Sequence, residues 1–114
     1  MKVDRNEFEC LVVEAMDLVP EPFASALAGV AVVVEAHAPP DDPDLYGLYL
    51  GAPLDEPWGA VGNLPPRIAI YMYPLADDCE TFEELVEEVR ITVMHELGHH
   101  LGLDEDDLED LGYG

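Results

Sequence analysis

The stretch that decides the fold is residues 93–105, VMHELGHHLGLDE, running from Val93 to Glu105. His95 and His99 stand four apart. On a helix of 3.6 residues per turn they lie one above the other, so both imidazoles can reach one ion. Glu96 sits about 100° further round the helix, too displaced to share the first ligand positions easily. It is within reach of a water on that ion and suits the role of general base. Two imidazoles and an oxygen ligand, with one position left open, favour a single Zn²⁺ in its catalytic mode. Gly102 falls where a left-handed helix cap belongs and would turn the chain back toward the metal. The third ligand is then expected six residues after His99, at Glu105, with Asp104 the alternative. Asp104 is also well placed to cap a following helix, whereas Glu105 has the expected register. No methionine follows the motif, which excludes a Met-turn.

Outward from the motif, Thr81 and Glu84 form a helix-opening capping box. Phe82, Val86, Val89, Val93, Leu97 and Leu101 recur at helical spacing as the buried stripe of one long helix. Upstream, Arg67 to Tyr73 (RIAIYMY) alternates as a strand. Ile68, Ile70 and Met72 share one face, Ala69, Tyr71 and Tyr73 the other, and Pro74 stops the run. Seven of the ten prolines lie between Pro39 and Pro66, a stretch that reads as loop with a short strand at Tyr46 to Leu50. The β-branched run Val30 to Ala36 predicts a strand with much of both faces buried. Asp4 and Glu7 open a first helix carrying Phe8, Leu11, Val12, Ala15, Leu18 and Val19, which Pro20 ends. A short helix from Pro22 to Leu27 comes next. Beyond the motif, Asp104 and Asp107 predict the cap of a last helix through Leu108 and Leu111. Helices on a small sheet without regular βαβ alternation make the class α+β.

The 114 residues are enough for one domain, expected over 1–114. With 49% hydrophobic residues the chain can form a core, yet 26 acids against 4 basic residues leave a net charge of -22. Such a surface repels phosphate backbones and anionic headgroups, so neither nucleic acid nor a membrane is an expected partner. No apolar run reaches the length of a membrane span, and the first ten residues carry no apolar signal core, so the expected location is cytoplasmic. Cys10 and Cys79 form no CxxC pair and read as thiols rather than a disulfide.

The run EEVRITVMHELGHHLGL resembles the small prokaryotic zincin-like metallopeptidases, of minimal Asp-zincin type; YGLYLGAPL and LPPRIAIYMYPL resemble the same family upstream. The resemblance covers roughly residues 45–112 and extends more loosely to the first helix and strand. It implies a minimal zincin-like fold, a small mixed β-sheet packed against the HExxH helix, and zinc-dependent hydrolysis of peptide bonds. Asp-zincins carry an aspartate three residues after the glycine, where this chain has Glu105.

Around that site, Tyr46, Tyr49, Tyr71, Tyr73 and Tyr113 are candidate oxyanion donors, each weighed against simple packing with a surface hydroxyl. His100 reads as a solvated helix-surface histidine, and Arg90 as the partner of Glu87 or Glu88. Close approach of backbone or substrate would justify Gly98 in mid-helix. Six acids between Asp104 and Asp110 lack the glycine and closing glutamate of a calcium loop and read as a solvated helix face. The expected partner is a peptide substrate, with basic peptides favoured by the acidic field. The alternative is a non-catalytic acidic binding protein with a vestigial zinc site.

Overall fold

A computed structural model describes residues 1–51 and 65–110, without the side chains of Glu105 and Glu109. The expectations for Leu111, for Tyr113 and for the carboxylate of Glu105 lie outside the described residues. Helix α1 (Arg5–Asp17) opens with the full capping box: Asp4 accepts from the Glu7 amide at 2.8 Å, and Glu7 accepts from the Asp4 amide at 3.2 Å. Helix α2 (Phe23–Leu27) comes next, then β1 (Ala31–Glu35), β2 (Gly47–Leu50) and β3 (Arg67–Tyr71). Helices α3 (Met72–Asp77), α4 (Phe82–His100) and α5 (Glu105–Asp110) follow among the described residues.

The sheet has the order β1-β3-β2; β1 runs parallel to β3, and β2 antiparallel to it. The architecture is therefore α+β with a mixed sheet, as the sequence predicts. Because β3 is central, Ile68, Ala69, Ile70 and Tyr71 are all buried. Strand β1 corrects the sequence reading. Val32 and Val34 are half-buried on the face they share with Ile68 and Ile70, while Ala31, Val33 and Glu35 are exposed. Its β-branched run specifies a strand, and the strand order puts it at an edge among the described residues. The chain also leaves β3 two residues early. Met72 begins α3, and Pro74 lies inside that helix's first turn, where the missing N–H has no intrahelical bond to lose.

Helix α4 is the spine, contacted by α1, α2 and α3 and by both β2 and β3. Thr81 Oγ1 accepts from the Glu84 amide at 3.1 Å. The Glu84 carboxylate reaches back to the Glu80 amide rather than to Thr81, so only half of the expected capping box forms. Val86, Val89, Val93 and Leu97 are buried as expected, joined by Leu85 and Met94; Phe82 is instead 46% exposed. Anchored on that inner side, α4 turns Ile91, His95 and His99 toward its half-buried flank.

The end of α4 directs the chain back on itself. Gly102 has φ 82°, the Leu103 amide bonds the Gly98 carbonyl at 2.8 Å, and the Gly102 amide bonds the His99 carbonyl at 3.0 Å. This is a Schellman cap, and it folds α5 back over α4. Leu108 of α5, fully buried, lies directly on Gly98, where an added Cβ would stand 2.3 Å from Leu108 Cδ2 and 3.1 Å from Cγ. The mid-helix glycine is thus explained by side-chain packing. Gly98→Ala gains about 1 kcal/mol of helix propensity but costs about 1–3 kcal/mol in overpacking, with Leu108 already enclosed. The expected outcome is a lower melting temperature for Gly98→Ala than for wild type; a higher one would mean that Leu108 yields without cost.

Candidate metal centre

The i, i+4 spacing on α4 brings His95 Nε2 and His99 Nε2 to 3.3 Å, with ring centroids 5.0 Å apart and planes at 75°. Two nitrogens bound to zinc at 2.0–2.1 Å in tetrahedral geometry are separated by about 3.3–3.4 Å. The imidazoles therefore already span the edge that such an ion needs. Glu96 Oε2 lies 4.0 Å from His95 Nε2. Among the described residues, His95, Glu96 and His99 form a group able to hold a metal ion, their ligand atoms all within 4.8 Å of one another. Two imidazole nitrogens beside a carboxylate match zinc's preferences.

Glu96 is held from the sheet. Its side chain is 12% exposed, and Oε1 accepts a hydrogen bond from the Tyr49 amide of β2 at 2.9 Å. The contact requires α4 to run close to β2, and Gly47 permits it. A Cβ there would lie 2.7 Å from Thr92 Cγ2 and 3.0 Å from the Ala69 carbonyl oxygen. Position 47 pairs with Ile70 on the face that α4 covers.

His100 departs from the sequence reading. It is 4% exposed rather than solvated, and its Nδ1 shares a hydrogen bond of 2.9 Å with the Tyr49 hydroxyl. Burial pushes the His100 pKa down and the Tyr49 pKa up, so both favour their neutral forms. Tyr46 donates its hydroxyl to Asp78, and that bond is the main reason its pKa is raised. Of the tyrosines considered as oxyanion donors, Tyr46 and Tyr49 thus spend their hydroxyls within the fold. Tyr71 is buried, and Tyr73, 45% exposed, packs against the His37 ring at 4.8 Å. Arg90 pairs with Glu87 as expected, and the guanidinium holds the Glu87 pKa down.

The two candidates for third ligand are placed differently. Asp104 Oδ1 accepts from the Asp107 amide at 2.8 Å, and the Asp104 amide donates to Asp107 Oδ2 at 3.1 Å. That reciprocal pair caps α5, and Asp104 does not belong to the metal-capable group. Glu105 is the first residue of α5.

A cleft of about 430 Å³ adjoins Glu96 and His95 beside β2. Its walls include Asp42, Asp44, Glu88 and Ile91, with Leu45, Tyr46, Gly47 and Thr92; none of these described residues is basic. Glu88 shares the motif's helix face at i, i+7 and i+8 spacing, whereas the other two wall acids were not legible in the sequence as neighbours of the motif. Asp42 and Asp44 come from the proline-rich loop, whose path no periodicity fixes. Among the described residues, no helix is long and apolar enough to cross a membrane.

A family model described as zincin-like metallopeptidase matches residues 27–114. Among solved structures, the chain is similar to a conserved hypothetical protein from Thermo thermophilus. The two share 30% sequence identity with a TM-score of 0.56, over 96% of this chain and 97% of that one. No curated protein matches the chain.

Proposed function

The chain belongs to the zincin-like metallopeptidase family, and from that membership we propose that it hydrolyses peptide bonds with one Zn²⁺ held by His95 and His99. Glu105 is proposed as the third ligand, with Asp104 the alternative. The observation that carries this reading is the 3.3 Å Nε2–Nε2 separation with the Glu96 carboxylate alongside. When bound, zinc lowers the pKa of a coordinated water and polarises a carbonyl oxygen. Glu96 does the proton work: its carboxylate takes a proton from the attacking water and returns it to the leaving nitrogen. The Tyr49 amide keeps that carboxylate oriented, and the close packing of α4 on Gly47 keeps the amide within reach.

The substrate class rests on the cleft. A peptide lying along β2 beside Glu96 passes Asp42, Asp44 and Glu88, so a lysine or arginine side chain is favoured and a glutamate is repelled. Cys10 and Cys79, both free thiols, suit a reducing compartment such as the cytoplasm.

The test is digestion of a set of peptides that differ at one position by zinc-loaded and by chelator-treated protein. Cleavage is expected only with zinc, with Lys or Arg peptides preferred over Glu peptides by about tenfold, the equivalent of about 1.4 kcal/mol. The preference should shrink as salt is raised. Cleavage that persists in the chelator would contradict the role of the metal. Equal rates for Lys and Glu peptides would contradict the role of the acidic walls.

A further inference from the structure

Tyr49 is the residue at which the sheet and the candidate site meet twice. Its amide points away from β3 and donates to Glu96 Oε1 at 2.9 Å, while its hydroxyl shares a hydrogen bond of 2.9 Å with buried His100 Nδ1. The two contacts grip α4 at positions 96 and 100, one turn apart and on either side of His99. The Tyr49 and His100 rings also pack together, with centroids 5.5 Å apart. The ladder to β3 and the close approach at Gly47 already hold β2 near α4. The two bonds from Tyr49 add direction to that packing, tying one residue of the strand to successive turns of the helix. They leave Glu96 with Oε1 engaged by the strand and Oε2 4.0 Å from His95 Nε2.

We propose that Tyr49 is the positioning residue for Glu96: its side chain, moored to His100, fixes strand β2 on α4, and its amide thereby aims the carboxylate at the imidazole pair. The inference rests on the reading of Glu96 as the proton acceptor of a peptidase. Tyr49 itself exchanges no proton with substrate. Removing its hydroxyl should therefore alter how fast bound substrate reacts, leaving substrate and metal binding as they were.

Two variants dismantle the clamp in steps. Tyr49→Phe keeps the ring and the amide but loses the bond to His100. Tyr49→Pro removes the ring and the N–H as well, at a position of β2 whose amide is not part of the ladder, where proline is tolerated. With zinc-loaded protein and a cleavable peptide, Tyr49→Phe is expected to lower kcat about tenfold and Tyr49→Pro about a hundredfold, the scale of small misplacements of a reacting group. KM and zinc content should not change. A purely structural role would instead lower melting temperature and active fraction together, without this split.

An independent readout is the Tyr49 amide proton in a ¹H–¹⁵N spectrum of the full chain. A hydrogen bond to a carboxylate places it downfield, and Glu96→Ala should move it upfield. Wild-type kcat in Tyr49→Phe, or a Tyr49 amide indifferent to Glu96→Ala, would overturn the clamp while leaving the peptidase reading intact. A wild-type protein that cleaves no peptide, with the amide still responding to Glu96, would overturn the peptidase reading and, with it, the catalytic meaning of the clamp.

Discussion

Replacing Glu96 by glutamine is expected to slow peptide hydrolysis by about 10²–10⁴-fold, the usual contribution of a positioned general base. The substitution is nearly isosteric. A glutamine oxygen can still accept from the Tyr49 amide, so the contact between β2 and α4 survives. What disappears is the capacity to take a proton at neutral pH. Zinc content should be unchanged, because the two imidazoles and not Glu96 are proposed to carry the metal. Initial rates at saturating peptide, measured beside metal analysis and a melting curve, check all three points. An unchanged rate would move the proton transfer to another group. A lost rate accompanied by lost zinc would make Glu96 a ligand.

His99→Ala should have a comparably large effect at an earlier stage, by removing the metal. Losing only the hydrogen-bond partner of a ligand already costs 10–100-fold in affinity. Losing one of two imidazoles should therefore weaken zinc binding by more than about a hundredfold. His95→Ala should do the same. Both histidines are half-buried on the outer flank of α4, away from the Val89, Val93 and Leu97 stripe, so the fold should tolerate either change. Competition for zinc against a calibrated chelator gives the affinities. Wild-type affinity in either variant would show that the metal is held elsewhere.

How much of this was legible in the sequence depended on how local each signal was. The capping pairs Asp4–Glu7 and Asp104–Asp107, the left-handed Gly102 and the facing of His95 and His99 all act within about one turn of helix. Spacing alone therefore specifies them. The run Val30 to Ala36 specifies a strand but not its place at an edge of the described sheet, because strand order is settled by β3 pairing on both sides. Pro74 read as a stop, although a proline serves equally in the first turn of a helix, and α3 begins there.

The supports of the site were the least visible. Glu96 and Tyr49 are 47 residues apart, and His100 and Tyr49 are 51 apart. Spacing from His95 singles out His99 as its partner on the outer flank, but nothing local shows that His100 is buried; that follows only from the packing of β2 across α4. Gly98 posed the same problem: the sequence marked it as costly in a helix, and the reason, Leu108, lies on the next helix.

The most direct test is the X-ray absorption spectrum of the protein loaded with one equivalent of zinc. The expected spectrum shows a first shell of nitrogen and oxygen at about 2.0–2.1 Å with the multiple-scattering signature of two imidazoles. One imidazole should be lost in His99→Ala. A first shell without imidazole, or one unaltered by that substitution, would contradict a zinc centre built on His95 and His99.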